Sequence, residues 1–374
     1  MLNQAHWIPK STGWIFSAKN DLLLFVFPLI IGLLIVFGLE YSELGPSHLF
    51  NIGGTQIYAR ITWVDWLFTA LIDAPHAFST GYRIFSDPAQ LRKQSSLFIG
   101  LPIAVVLTLI FAFKASELWT FRAITYLNIY HLIKQQYGWI RYSEIQSNIS
   151  HKINKRLLSF MIYNFTLVPI LLWHFDPAVQ NRVGWIFQND LLTYPSENIF
   201  SILMIFHWLL NGFFIFKIFQ HLRKGHSVSM GQVIVLGSTW LAWYGGIVLK
   251  IGGDETLLID ILHVVPYLGL TFFVYKKQIF EVKKTSFISF YFPLALLGLI
   301  GTSLYTFYTT QNNMTLGLIV LSCLAGISVT HYILDGFIWR LNQKNPAVEK
   351  WLSRTPGLGS TQNSPQIGSI ASGQ

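Results

Sequence analysis

Long apolar stretches recur along the chain, separated by short polar segments. A membrane-spanning helix needs about 20 mostly apolar residues. Ten stretches approach this length, at residues 22–39, 61–82, 97–114, 118–140, 157–174, 199–220, 231–251, 256–275, 286–308 and 315–339. The pattern predicts an all-α, polytopic membrane bundle, because a backbone in lipid must satisfy its hydrogen bonds within each helix. We expect one transmembrane domain over 22–339, a cytoplasmic segment over 1–21 and a largely disordered cytoplasmic tail over 340–374.

Basic residues alternate in number from one connecting segment to the next. Of the 26 Lys and Arg residues, 20 lie in six segments that would share one side of the membrane, five lie on the other side, and Lys134 lies within a span. Cytoplasmic loops carry the excess of Lys and Arg. Both termini are therefore predicted to be cytoplasmic, and we expect an integral protein of a bacterial inner (cytoplasmic) membrane.

The composition excludes several classes of protein. Hydrophobic residues make up 52% of the chain and charged residues only 11%, whereas soluble domains carry about 25% charged residues. The alternation of basic loops explains the net charge of +9 by topology, so we expect no nucleic-acid partner. A single cysteine, Cys323, excludes an internal disulfide framework and a Cys-rich metal site.

Four predicted spans each carry a histidine close to a hydrogen-bonding residue. These pairs are Asp73 with His76, Asn128 with His131, Asp260 with His263, and His331 with Asp335, and Gln135 follows one turn after His131. Spacings of three and four place both side chains on one helix face. Ionisable groups in a membrane are costly unless they are paired or face a cavity. All four histidines lie near the centres of their spans, so they are predicted to meet at similar depth.

The neighbours of these histidines are the residues that metal ligands need. A ligating imidazole usually gives its other ring N–H to a carboxylate or another acceptor, which fixes its tautomer. We therefore predict that His76, His131, His263 and His331 bind a metal and that Asp73, Asn128, Gln135, Asp260 and Asp335 orient them. Iron, zinc and copper all suit imidazole ligands. A proton or metal-ion relay in a transporter, a b-type haem site and structural polar packing stay open as alternatives.

Several catalytic motifs of other membrane enzymes are absent. The chain lacks H-x-x-x-H, H-x-x-H-H, H-E-x-x-H, G-x-S-x-G and a P-loop. These absences count against an acyl-lipid desaturase, a site-2-type protease and an ATP-driven pump.

Five short segments carry a resemblance to a known family. They are D-A-P-H-A-F-S-T at His76, I-Y-H-L-I-K-Q-Q at His131, L-A-W-Y at 241–244, I-L-H-V-V-P-Y at His263 and T-H-Y-I-L-D-G-F at His331. In order and spacing they resemble the Brp/Blh-type membrane β-carotene 15,15′-dioxygenases, over about residues 60–340. The resemblance implies a non-haem Fe²⁺ held by His76, His131 and His263. It also implies O₂ and an apolar polyene or isoprenoid lipid from the membrane as substrates.

The chain departs from that family at one position. Where the family has a second histidine four residues after the first in the late span, this sequence has Tyr267. We expect His331 or Asp73 to supply a fourth ligand, or a three-ligand site that is more open. Tyr267 is predicted to face the metal or the substrate as a catalytic group. The predicted function is a carotenoid-cleavage-like oxygenase, and protein partners are not indicated.

Overall fold

The computed structural model describes most of the chain. The residues it describes are 13–42, 48–52, 55–59, 63–85, 88–147, 149, 151–178, 185, 189–250, 256–279, 286–310 and 314–339. The tail predicted over 340–374 and most of the segment predicted over 1–21 lie outside these residues.

Helices dominate the described residues. The α-helices are α1 Ala18–Asp21, α2 Phe27–Ser42, α3 Trp63–Phe68, α4 Ala74–Phe85, α5 Pro88–Lys93, α6 Leu101–Ala115, α7 Glu117–Gln146, α8 Lys155–Phe175, α9 Glu197–Arg223, α10 Met230–Trp243, α11 Leu257–Ile279, α12 Phe287–Thr310 and α13 Met314–Ile338. Four π-helical turns, Leu22–Val26, Thr69–Asp73, Ser96–Gly100 and Tyr244–Val248, join or extend them. Within the described residues every predicted span is helical, while the number of membrane crossings and the side of the termini stay predictions.

Seven helical segments in the described part of the chain are long and apolar enough to cross a membrane. They are Ala18–Gly38, Ser96–Ala115, Lys155–Phe175, Glu197–Arg223, Leu257–Tyr275, Phe287–Leu304 and Leu316–Ile338. Helices of this kind are typical of an integral membrane protein. The other three predicted spans correspond to α3–α4, α7 and α10 with its π turn, which are helical as well. Two of these three carry His76 and His131. Polar residues of this kind lower the mean hydropathy by which a membrane span is recognised.

A short antiparallel strand pair accompanies the helices of this all-α fold. Strand β1, His48–Ile52, pairs antiparallel with β2, Thr55–Ala59, in the connection between α2 and α3. The register pairs His48 with Ala59 and Ile52 with Thr55. Ten residues in two short strands lie outside the apolar stretches on which the prediction was based.

Pro75 explains the irregular start of α4. Proline cannot donate to the carbonyl one turn before it, and here that carbonyl belongs to Leu71, within the π turn. The Tyr291 hydroxyl of α12 donates to the Leu71 carbonyl instead. Gly298 allows this close approach, because a Cβ at that position would overlap the Ala70 carbonyl oxygen.

The helices form a central group and an outer layer. Helix α4 contacts α11 and α13, and α7 contacts the same two helices, so these four close a ring. Helix α12 packs on α4 and α13, α6 on α13, α2 on α11, and α8 between α7 and α9. The largest buried apolar cluster runs through α7, α8, α10 and α11. This core holds the central helices at the depth where their polar side chains meet.

Candidate metal centre

Each of the four central helices contributes one histidine to a common point. His76 lies in the first turn of α4, His131 in the middle of α7, His263 in α11 and His331 in α13. All four residues are buried, with exposed fractions between 1% and 5%. The prediction that histidines from four spans converge is confirmed.

The four imidazoles form a closed ring in which neighbours stand edge to face. Ring centroids are 4.5 Å apart for His76 and His263, 4.9 Å for His263 and His131, 4.8 Å for His131 and His331, and 4.3 Å for His331 and His76. The angles between neighbouring ring planes range from 69° to 85°. This order around the ring follows the order in which the four helices contact one another.

The ring nitrogens suit a metal ion. One potential ligand atom from each histidine lies within 4.8 Å of those of the other three. Buried nitrogens without a hydrogen-bond partner among the described residues are His76 Nδ1, His76 Nε2, His131 Nε2, His263 Nδ1 and His331 Nε2. A buried polar atom without a partner costs free energy. A cation at the centre of the ring would satisfy several of these atoms at once, so the four histidines could hold a metal ion.

Two carboxylates flank the ring, and their environments differ. Asp335 is buried, and its oxygens lie 3.5 Å from His331 Nδ1 and 3.8 Å from His131 Nε2. Asp73 lies 3.6 Å from His76 Nδ1, and half of its side chain is exposed. These distances allow electrostatic attraction but exceed those of hydrogen bonds. Asp335 therefore lies near two histidines from different helices. Its spacing from His331 did not indicate that it also lies near His131.

The other predicted orienting residues lie on α7 and α11, on the same helices as His131 and His263. Asp260 lies one turn before His263 on α11, yet His263 Nδ1 has no hydrogen-bond partner within the described chain. Gln135 donates to the main-chain carbonyl of His263 at 2.8 Å rather than to an imidazole. Asn128 lies partly buried on α7, one turn before His131.

The aromatic ring of Tyr267 packs beside the four histidines, perpendicular to the imidazoles of His76 and His331. Its ring centroid is 4.9 Å from that of His76 and 5.2 Å from that of His331. Its hydroxyl donates to Asp335 Oδ1 at 2.7 Å and accepts from Trp339 Nε1 at 3.1 Å. The residue is buried at 1% exposure. The ring of Tyr267 thus lies beside the centre, while its hydroxyl is engaged with Asp335 and Trp339.

Two residues of this network were missed in the sequence. Thr80 is buried, and its hydroxyl lies 2.7 Å from His331 Nδ1 and 2.8 Å from the Tyr267 hydroxyl. Trp339 follows Asp335 by four residues at the end of α13. Thr80 also follows His76 by four residues, but both residues bond side chains of other helices, which spacing along one helix does not reveal.

His207 is a further buried histidine outside this ring. It lies on α9, and its Nε2 accepts from Trp240 Nε1 at 3.3 Å. Its ring stacks on Tyr244 with centroids 5.0 Å apart. It therefore belongs to an aromatic cluster between α9 and α10.

Similarity to other proteins does not identify the centre. Comparison of the chain with protein-family models, with curated proteins and with solved structures finds no match.

Proposed function

We propose that this protein is a membrane-embedded, non-haem iron oxygenase that uses O₂ to cleave or oxygenate an apolar polyene or isoprenoid lipid. The observation that carries the proposal is the closed ring of four buried histidines with unpartnered nitrogens. The proposal includes ten membrane spans with both termini in the cytoplasm, which the alternation of basic loops supports.

The shape of the ring favours a single metal ion over haem. Adjacent imidazoles contact one another edge to face, with centroids no more than 4.9 Å apart. A porphyrin between two axial histidines would have to separate rings that are in contact. A bare ion needs ligand bonds of only about 2 Å, which a small inward movement of the rings supplies.

The choice of iron rests on the family resemblance. Zinc and copper would also accept four imidazoles. The order and spacing of the motifs at His76, His131, His263 and His331 resemble those of the carotenoid-cleaving dioxygenases. The family has a ligand histidine at the position of Tyr267. In this chain His331 supplies that fourth ligand instead. Iron(II), when bound, supplies the activation of O₂.

The residues of this chain have distinct tasks in such an enzyme. His76, His131, His263 and His331 hold the ion at the middle of the bundle. Asp335 balances its charge from a buried position beside two of these histidines. The apolar cluster around α7, α8 and α11 excludes water from the centre.

The first test is the metal content and absorbance spectrum of the purified protein. The variants are His263→Ala and, as a matched control, His207→Ala, which removes a buried histidine outside the ring. We expect near-stoichiometric iron without a haem absorbance band, lost in His263→Ala and kept in His207→Ala. A haem band, or equal metal content in the three proteins, would contradict the proposal.

The second test concerns the substrate. β-Carotene in detergent micelles is supplied to the iron-loaded protein, and O₂ consumption and retinal formation are followed. We expect activity in the wild type and in His207→Ala but none in His263→Ala. If iron binds but neither β-carotene nor other polyenes are consumed, the metal site stands and the oxygenase assignment is wrong.

A further inference from the structure

A chain of hydrogen bonds leads away from the histidine ring at His331. It runs from His331 Nδ1 to the Thr80 hydroxyl at 2.7 Å and on to the Tyr267 hydroxyl at 2.8 Å. It ends at Asp335 Oδ1, which is 2.7 Å from the Tyr267 hydroxyl. Three helices, α4, α11 and α13, each contribute to this chain.

With Asp335 ionised, the direction of every bond in the chain follows from the number of protons available. A tyrosine hydroxyl has one proton and a carboxylate has none. The Tyr267 proton therefore goes to Asp335, and Trp339 Nε1, which can only donate, takes one of the tyrosine's acceptor positions. Thr80 must then donate to Tyr267, because Tyr267 has no second proton to give.

The same reasoning fixes the tautomer of His331. Since the single Thr80 proton goes to Tyr267, the Thr80 oxygen must accept the bond from His331, whose Nδ1 then carries the proton. A neutral imidazole has one protonated nitrogen. His331 Nε2 is therefore left with its lone pair, and it is the nitrogen that is buried and has no partner within the described residues.

We infer that Thr80 is a positioning residue that, together with Tyr267, locks His331 in the tautomer whose Nε2 can bind the metal. This inference rests on the metal centre of the proposed function. The inference also assigns a role to Tyr267, which stands where the family that this chain resembles has a histidine. The Tyr267 hydroxyl accepts the Thr80 proton and so leaves the Thr80 oxygen to accept from His331. His76, by contrast, has neither ring nitrogen hydrogen-bonded in the described chain.

The test compares metal affinity in variants that differ by single polar atoms. Thr80→Val keeps the shape of the side chain and removes the hydroxyl, and Thr80→Ser restores it. Thr166→Val is the matched control, because Thr166 is also fully buried but bonds only the Ile162 carbonyl within α8. Fe²⁺ affinity is measured anaerobically by competition with a chelating dye.

Loss of an orienting partner typically weakens metal binding about 10- to 100-fold. We expect this loss in Thr80→Val and in Tyr267→Phe, recovery in Thr80→Ser, and wild-type affinity in Thr166→Val. Wild-type affinity in Thr80→Val, alongside loss of iron in His331→Ala, would overturn the inference while leaving the metal centre in place.

A second measurement decides the tautomer in the metal-free protein. Nitrogen NMR of protein with isotope-labelled histidine rings distinguishes a protonated Nδ1 from a protonated Nε2, and the His331→Asn spectrum identifies the signals of His331. We expect Nδ1–H in the wild type and a mixture of tautomers in Thr80→Val. A wild-type Nε2–H signal would overturn the inference. If the wild type binds no iron, the proposed function fails, but this spectrum still tests the hydrogen-bond chain.

Discussion

Helices α9 and α11 have the same mean hydropathy over their most apolar stretches but very different environments. In α11, 78% of the residues in that stretch are buried, whereas in α9 only 17% are. Helix α11 carries His263 and Tyr267 and packs against α2, α4, α7 and α10. Helix α9 contacts mainly α8, and large apolar side chains such as Leu209 and Ile215 are exposed along it.

The difference shows what hydropathy measures in a membrane protein. Lipid tails are as apolar as leucine, so an apolar helix is equally stable facing lipid or facing other helices. The position of a helix is then decided by shape and by polar contacts. Helix α11 is central, where His263 contacts the other imidazoles and Tyr267 bonds Asp335. Helix α9 buries His207 and Asn211, while most of its apolar side chains are exposed.

The largest effect is expected from leucine truncation in the two helices. Leu258 in α11 is fully buried, and Leu209 in α9 is 68% exposed. Leu258→Ala should lower the free energy of unfolding by about 2–5 kcal/mol because it leaves a cavity. Leu209→Ala should change it by no more than about 0.5 kcal/mol, because lipid refills the space. Unfolding in mixed detergent micelles measures both. Equal losses would show that α9 is packed against another surface.

Glycine substitution should give a smaller difference in stability between α12, which packs on α4, and α9. A Cβ at Gly298 in α12 would overlap the Ala70 carbonyl oxygen, next to the π turn that precedes His76. Gly298→Ala should therefore destabilise the protein by about 1–3 kcal/mol through overpacking. Gly212→Ala in α9 is the control, because a Cβ added there would meet nothing within 4 Å. A neutral Gly298→Ala in the same unfolding assay would argue against this close contact.

Replacing each carboxylate by an amide should show which of the two acids beside the ring contributes more to Fe²⁺ affinity. Asp335→Asn is expected to weaken Fe²⁺ binding about 10- to 100-fold, because Asp335 is buried and supports two histidines. Asp73→Asn should have a smaller effect, because its half-exposed carboxylate approaches one histidine of the ring, His76, at 3.6 Å. Competition with a chelating dye measures both affinities. The reverse order would place the important charge at His76.

The smallest expected effect is the pH dependence of stability caused by His226, in the connection that follows α9. Desolvation, and then repulsion from His151, His221 and Lys224, lower the pKa of His226 below its usual value. The unfolded chain therefore binds the proton more readily than the folded protein. Stability should be unaffected by this group above about pH 6.5 and should fall slightly below it. Melting temperatures at acidic and neutral pH measure this loss, which His226→Asn should reduce. An unchanged loss would assign it to other groups.

The sequence predicted the parts of the centre that depend on periodicity. Apolar length located the helices, and histidines near the middle of four spans indicated a common depth. Spacing along a helix correctly placed Asp335 near His331. It could not show that Asp335 also lies near His131, or that Thr80 bonds His331, because those contacts join different helices. The orienting role predicted for Asp260 beside His263 stays a prediction.

The sequence by itself determined that this chain is a helical membrane protein with histidines in several apolar helices, because burial in lipid requires long apolar helices and makes each polar exception conspicuous. Only the tertiary structure decided which helices are central, how the four imidazoles are ordered around a point, and which way the Tyr267 hydroxyl turns. Those features depend on packing between segments far apart in the chain. In a membrane, hydropathy does not distinguish such packing from contact with lipid.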